Sequence, residues 1–523
     1  MVAVSAEATE PLRSEKSRQV RQRLVVSVAL VALIGISRLM VFPASIWEQD
    51  EAYFAAAVVE ISIGDSQPHP PFFPLWIGLG KLVHLAGVPP AASLQWLSAV
   101  LGTLLLLPLT TLWSRVLTLR LAVAASVLGL MAPGVWLLSG RAFSGTAATA
   151  LLVLSLALWT RAVPSRVTCA AGSVAAGLAV LIRPQFGLVV IGIGAVVLSR
   201  CGAGKRLRIW LPAVVLVSGG FAVFVVAAGG LSEVVKTLST HSALHFGALS
   251  EADLGFSNSG LARILVHPAI ALAWIGLAVV GGADALRNRE TRNVAAPVIA
   301  ALVVLLVLIL GLSNPTLPRY AVPLVLLSSG FVVAGLRRLL GRTGALVAAG
   351  VAVCCSLAVV LPAAPVYRRV PSPPLGALER AAERAASNQT VLIVDRRLHA
   401  FVRYRAAVDP LAAPVVFDHL FELGVAPPAN APMVVDGSDP GPLAGPDETE
   451  VFSCENELLR RLGQVRFLDV TVARVRSAGP ESMEDIVATI REGSGGRQEG
   501  QPVDADNDRE DDEGEDGLEG GNS

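Results

Sequence analysis

Apolar runs long enough to cross a membrane recur over the first 362 residues, separated by short polar loops, and the pattern stops there. Roughly 20 apolar residues cover a hydrocarbon core of about 30 Å. Runs near 24–42, 74–113, 121–138, 146–160, 168–182, 186–199, 210–229, 268–284, 294–312, 321–336 and 344–362 therefore predict a polytopic α-helical membrane protein with about 11 transmembrane helices. Gly87-Val88-Pro89-Pro90 interrupts the second run, so its short first part, 74–88, is expected to re-enter rather than cross.

Beyond residue 362 the period changes. Residues 375–386 read as an amphipathic helix and 390–395 as a buried strand. Further strand patterns lie at 414–417, 433–436 and 467–475, with a helical pattern at 454–462 between the last two. This is the signature of a small C-terminal α/β domain outside the membrane. No Gly-rich phosphate loop or nucleophile elbow occurs in it. From about residue 481 the chain turns polar, and 499–519 holds eleven acidic residues against Arg509 alone. Such a segment cannot bury enough apolar surface to fold. The expected division is an N-terminal tail (1–23), a membrane domain (24–362), the α/β domain (363–480) and a disordered acidic tail (481–523).

Composition sharpens this picture. The chain is 53% hydrophobic with a mean hydropathy of +0.60, and aromatics supply only 5% of its residues. Net charge is zero, but the sum conceals a segregation. With the N-terminus inside, the inner segments hold 19 arginines and lysines; the outer loops hold six, Lys81, Arg141, Arg183, Lys236, Arg263 and Arg319. That bias follows the positive-inside rule and predicts a plasma-membrane protein whose N-terminus is cytoplasmic and whose C-terminal domain is extracytoplasmic. Nothing in the pattern points to nucleic acid as a partner. The first apolar run exceeds the 7–15-residue core of a signal peptide and ends near Arg38, placed to snorkel, so it is expected to be an anchor. The cysteines, Cys169, Cys201, Cys354, Cys355 and Cys454, show no metal-type spacing.

Candidate chemistry gathers on the outer side. Asp50 and Glu51 stand side by side just after the first span, although ionised groups near membrane segments are costly. Capping of a helix over 52–60 explains one carboxylate but not both. A pair at the water–lipid boundary suggests catalysis or metal binding on a substrate that lives in the membrane. Next comes His69-Pro70-Pro71, where the prolines fix an extended entry to the following span and the histidine lies within reach of a phosphate. Arg141, Arg183 and Arg319-Tyr320 occupy very short outer loops; guanidinium forks suit phosphate, with snorkelling to headgroups as the plain alternative. His241 and His245, spaced i, i+4 in the largest outer loop, share a helix face and are two ligands short of a structural metal site.

The order Asp50-Glu51-Ala52-Tyr53, then His69-Pro70-Pro71, resembles the GT-C superfamily of membrane glycosyltransferases. The likeness is to the branch of protein O-mannosyltransferases and the lipid A aminoarabinose transferase, and it covers roughly residues 20–340. The resemblance implies a sugar donor on a polyprenyl phosphate and inverting transfer to a cell-envelope glycan, lipid or protein at the outer boundary. It implies Asp50 as general base, with Glu51 orienting it or helping to hold a divalent metal ion. Tyr53, His69, Arg141, Arg183, Arg319 and Tyr320 would bind substrate, the cations neutralising the departing lipid phosphate. The chain departs from the family pattern at Ser144-Gly145-Thr146, where relatives often carry an Asp, and at Ile182-Arg183-Pro184, where Thr-Lys-Gly is common. Two other classes compete: a transporter or flippase of lipid-linked sugars, and a catalytically inactive envelope-assembly scaffold. Charges clustered at one boundary rather than at midplane favour the enzyme.

Overall fold

The computed structural model describes residues 10–474 except 66, 162–164, 200–202, 250–257, 313–314, 396–397, 409–414, 418–430, 437–448, 454–459 and 461–468. Side chains at 10–24, 65, 203–209, 241–249, 312, 416, 436 and 474 also fall outside the description. The expected acidic tail and most of the expected helix at 454–462 lie outside the described residues.

The membrane part begins with α1 (Glu10–Met40), a short loop, and α2 (Gln49–Val59). Then come α3 (Pro74–Leu85), α4 (Pro90–Leu104), α5 (Leu106–Trp113), α6 (Leu119–Leu130), α7 (Pro133–Leu138), α8 (Ser144–Trp159), α9 (Arg166–Ile182) and α10 (Phe186–Leu198). It continues with α11 (Ala203–Ala227), α12 (Leu231–Leu249), α13 (Gly260–Ile264), α14 (Pro268–Arg287), α15 (Arg292–Leu312) and α16 (Pro318–Val360). Among the described residues five helical stretches are long and apolar enough to cross a membrane, and five shorter apolar helices accompany them. The protein is a multi-pass membrane protein. Apolar side chains point outward where lipid replaces water: Val226 on α11 is 81% exposed. At about 1.5 Å per residue, the 12-residue α3 reaches about 18 Å and cannot span the core. It instead runs beside α2, with Lys81 Nζ donating to the Val59 carbonyl at 3.0 Å.

Where the sequence predicts two spans over 321–336 and 344–362, α16 runs continuously but breaks at Gly341 (φ 71°, ψ −177°). The two ends of α16 return to one place. Arg319, in its first turn, pairs with Glu48, while Tyr367, just past its end, packs against Trp47 with ring centroids 5.4 Å apart. The chain therefore reverses at Gly341, in a backbone region that residues with a Cβ scarcely enter. Close packing elsewhere uses the same economy. A Cβ on Gly281 of α14 would overlap the Phe331 carbonyl of α16, and one on Gly335 would overlap the Leu277 carbonyl.

Arg38 does not snorkel. It is buried near the end of α1 and donates to the Leu130 (2.9 Å) and Trp136 (2.7 Å) carbonyls, where α6 gives way to α7. It satisfies carbonyl acceptors in the last turns of α6 and α7, which have no intrahelical donor.

After α17 (Ala364–Arg369) the chain forms α18 (Pro373–Ser387), β1 (Leu392–Val394), α19 (His399–Val408), β2 (Val415–Phe417), β3 (Pro432–Asp436), β4 (Glu450–Ser453) and β5 (Asp469–Arg474). The five strands form one mixed sheet in the order β2-β1-β3-β5-β4, with β1 parallel to β2 and β3 and β5 antiparallel to β3 and β4. The strands expected at 390–395, 414–417, 433–436 and 467–475 all fall in this sheet; α19 and β4 have no counterpart in the sequence pattern. One apolar cluster joins the sheet and α18 to Ile46, to Ala52 and Ala55 of α2, and to Ala91 of α4. The opposite face of α2, through Phe54, Ala57 and Val58, belongs to the core of the helical bundle. Small residues on both faces let α2 sit between the two parts.

Replacing Gly341 with alanine is expected to cost about 1–3 kcal/mol, because ψ near 180° at positive φ is close to glycine-only. Thermal unfolding of the detergent-solubilised protein measures this, and an unchanged melting temperature would contradict a reversal at Gly341.

Candidate active site

The site grows from the start of α2. Gln49 to Glu51 form its first turn, and carboxylates there face the positive end of the helix dipole. The expected helix at 52–60 begins three residues earlier, and this separates the two acids. Glu51 points inward, fully buried, and its Oε2 accepts from the backbone N–H groups of Trp47 (3.0 Å) and Glu48 (3.1 Å). Its Oε1 accepts from the Ala142 N–H at 2.9 Å. Arg141 completes the shell with its Nε at 3.1 Å from Oε2 and with Nη2 in a closer ion pair. Glu51 is a helix cap and an arginine anchor. The expectation of catalysis or metal binding at Glu51 meets a carboxylate with both oxygens already engaged.

Glu48, which the sequence reading passed over, is 2% exposed and bridges two arginines: Oε1 accepts from Arg141 at 2.9 Å and Oε2 pairs with Arg319. Asp50 is the carboxylate that keeps access. Its side chain is 21% exposed, with Oδ2 at 2.6 Å from Arg319 Nη2 and 3.7 Å from His69 Nε2. Thus the adjacent acids divide their work, Glu51 holding the fold and Asp50 facing the opening.

Each arginine is delivered by a helix boundary. Arg141 follows α7 in the Ser139-Gly140-Arg141 turn, where Trp76 of α3 also binds the Ala142 carbonyl at 3.2 Å. Burial alone would lower its pKa, but Glu51 and Glu48 outweigh that and hold the guanidinium above its ordinary value. Arg319 follows Pro318, whose fixed φ suits the first position of α16. Arg183 ends α9. The three guanidinium groups interleave with aromatic rings. Arg141 lies over Phe143 (4.7 Å), Arg319 over Phe143 (5.3 Å) and Tyr320 (5.2 Å), and Arg183 over Tyr320 (5.1 Å) and Phe186 (5.9 Å). Each such contact contributes about 0.5–2 kcal/mol. Arg141 and Arg319 are balanced by carboxylates; Arg183, 8% exposed, stands at the end of the ladder with no ion pair to a described residue. Gly145 leaves space for it, since a Cβ there would come 3.2 Å from Arg183 Nη1.

His69 stacks on Phe54 at 4.9 Å and lies 6.1 Å from Tyr53, whose hydroxyl accepts from Gln49 Nε2 at 3.1 Å. Tyr367, buried behind the carboxylates, has its hydroxyl pushed up by burial and stays protonated. Of the residues singled out from sequence, Asp50, Glu51, Tyr53, His69, Arg141, Arg183, Arg319 and Tyr320 therefore meet in one place. Glu48, Phe143 and Tyr367 join them. His241 and His245 lie on α12, but their side chains are outside the described residues. No group of three or more His, Cys, Asp or Glu among the described residues could hold a metal ion.

Comparison with protein-family models gives no match, and comparison with curated proteins gives none. Solved structures do match. ArnT from Cupriavidus metallidurans bound to undecaprenyl phosphate aligns with 17% identity over 88% of this chain and 99% of its own, at a TM-score of 0.52. The chain shares the fold of that structure. ArnT in the apo state aligns over 88% of this chain and 100% of its own with 17% identity and a TM-score of 0.49. The archaeal oligosaccharyltransferase AglB from Archaeoglobus fulgidus, in complex with an inhibitory peptide and a dolichol-phosphate, aligns with 12% identity over 75% and 65% of the two chains at 0.47. In this chain the α1–α2 loop, the α7–α8 turn and the first turn of α16 meet, which is where the cluster forms.

Arg141→Leu would leave Glu51 and Glu48 buried without their shared cation, at a cost of about 3–5 kcal/mol. Asp50→Asn weakens the ion pair with Arg319 but leaves that guanidinium paired with Glu48, so it should cost less. Melting temperatures in detergent should fall steeply for the first and little for the second; the reverse order would contradict this division of roles.

Proposed function

We propose that the protein is an inverting glycosyltransferase that moves a sugar from a polyprenyl-phosphate donor to a cell-envelope acceptor at the outer membrane–water boundary. The observation that carries this reading is the side-by-side arrangement of one accessible carboxylate, Asp50, and one arginine without a carboxylate, Arg183, around Arg319 and Tyr320. A displacement with inversion needs a base on one face of the anomeric carbon and cations on the other. Asp50 takes the proton of the acceptor hydroxyl as its oxygen bonds to the sugar carbon. The bond from that carbon to the phosphate oxygen breaks, and the electron pair leaves on the lipid phosphate. Arg183 and Arg319 stabilise the charge that develops there, with His69 beside them. Tyr320 holds the two guanidinium groups apart at a fixed spacing.

The ArnT structure contains undecaprenyl phosphate, and a long polyprenyl chain explains why such a site would lie at the boundary. The excess of arginine and lysine on the opposite side supports an N-terminus in the cytoplasm, with the site and the C-terminal α/β domain (363–480) on the outer face of the plasma membrane. A divalent ion does not fit the described residues: Glu48 and Glu51 are taken up by arginine, leaving Asp50 as a single carboxylate donor. No step is assigned to a metal.

The test is sugar release and transfer from a panel of polyprenyl-phosphate sugars by the purified protein in lipid. Asp50→Asn should lower turnover by about 10² or more while lipid binding persists; near-native turnover would overturn Asp50 as base. Arg183→Ala should weaken undecaprenyl-phosphate binding by about tenfold or more, the worth of one charged hydrogen bond. Unchanged binding would return Arg183 to a headgroup or packing role.

A further inference from the structure

The C-terminal sheet turns its own binding edge toward Asp50. In an open sheet with parallel strands, ligands sit beyond the carboxyl ends of the strands where the connections diverge to either side. Here that place is β1, flanked by β2 on one side and β3 on the other. From the carboxyl end of β1 the chain enters α19 at His399, and β2 ends at Phe417. The His399 and Phe417 rings lie 5.3 Å apart. Tyr53 of α2 lies 6.3 Å from His399 and 6.1 Å from His69, and His69 stands 3.7 Å from Asp50. A line of rings thus runs from the sheet edge to the accessible carboxylate. One turn along α19, Arg403 Nε donates to His399 Nε2 at 3.0 Å, which fixes the ring and leaves a cationic group at the rim. Asp50, Tyr53, His69, His399, Arg403 and Phe417 all retain partial exposure, whereas Phe54, Ala55 and Phe401 beside them are buried.

The two arginines that suit a lipid phosphate belong to the helical bundle; the ring strip belongs largely to the C-terminal unit. We propose that His399, Arg403 and Phe417 form the acceptor wall of the site and take a carbohydrate. Its ring face lies along the Tyr53–His399–Phe417 line and one hydroxyl is delivered to Asp50. Sugar rings present C–H groups on a face and hydroxyls at the rim, which matches flat rings flanked by Arg403 and the Gln49 amide. A lipid acceptor would call for an apolar track, whereas Tyr53, His69, His399 and Arg403 put polar groups along this one. The inference rests on the transferase reading above and names the acceptor class for it.

The experiment separates the two. Purified full-length protein in lipid, given a polyprenyl-phosphate sugar, yields free sugar when water attacks and an extended glycan when a soluble oligosaccharide attacks. Short gluco-, manno-, galacto- and arabino-oligosaccharides serve as probes, with Ser/Thr peptides in parallel. The native protein should glycosylate at least one oligosaccharide. His399→Ala, Phe417→Leu and Arg403→Gln should each raise the acceptor KM by about tenfold or more, leaving release to water and donor KM within about twofold. If His399→Ala misfolds, His399→Asn takes its place. Unchanged acceptor KM with normal release to water would overturn the wall alone. So would transfer to peptides but to none of the oligosaccharides. Absence of Asp50-dependent sugar release would overturn the transferase reading and the wall with it.

Discussion

The candidate site hangs on a buried charge lattice. Glu48 and Glu51 come from the first loop and α2, Arg141 from the α7–α8 turn and Arg319 from the start of α16. These segments are 90 to 271 residues apart in sequence, and the lattice ties them to one another. Two carboxylates and two guanidinium groups removed from water cost several kcal/mol each unless every lone pair and N–H is used. The lattice meets that condition by recruiting backbone as well: Trp47, Glu48 and Ala142 all donate to Glu51. Such an arrangement is weak as a source of net stability, but it tolerates only one geometry. That is its use here. It fixes the register of three loops that carry the reactive groups.

The lattice also decides which groups remain for chemistry. Three acids and three arginines meet at the site, yet they do not neutralise one another pairwise. Glu48 and Glu51 saturate Arg141 and take part of Arg319; Asp50 takes the rest of Arg319 and keeps a face toward solvent. Arg183 is left as a cation supported by rings rather than by a carboxylate. Aromatic faces let a guanidinium lose water without losing its charge to a competing anion. A phosphate arriving at Arg183 would therefore displace no internal acid, which is an economical way to build an anion site at the lipid boundary.

Much of this was legible in the chain, and for identifiable reasons. Charged residues stand out in a sequence where membrane burial penalises them, so Asp50, Glu51, His69, Arg141, Arg183 and Arg319 were visible one by one. Their separate roles were not. Which of two adjacent acids turns inward depends on where α2 begins, and that depends on Glu51 reaching back to Trp47 and Glu48. Glu48 was missed because a lone acid before a helix reads as an ordinary cap; its weight comes from arginines 93 and 271 residues away. Phe143 and Tyr320 acquire meaning only as rungs between guanidinium groups. The strands β1, β2, β3 and β5 were readable as short apolar runs, whereas α19 (HAFVRYRAAV) mixes basic and apolar residues too evenly to announce a face. The reversal at Gly341 lay hidden for the opposite reason, since glycines are frequent throughout the chain and nothing in the sequence singles out the one at which α16 turns back.

The position of α2 then becomes intelligible as a mechanical necessity. Asp50 stands on a helix held by both bodies. In α2 the bundle packs against Phe54, Ala57 and Val58, and the C-terminal unit packs against Ala52 and Ala55. Alanine on both flanks lets two surfaces approach one helix without a bulky side chain choosing between them. Asp50 and Tyr53 lie one turn apart along that helix, so a shift of the C-terminal unit would act on Tyr53 and Asp50 together. The further ties from the first loop point the same way: Ala44 N–H to the Tyr367 carbonyl at 3.0 Å, and Ser45 Oγ to the Ser372 N–H at 2.7 Å. They anchor the chain just before the α/β unit to the loop that carries the lattice. Asp50 is thus placed by the bundle through Glu51 and by the C-terminal unit through α19, and its geometry holds only while both contacts do.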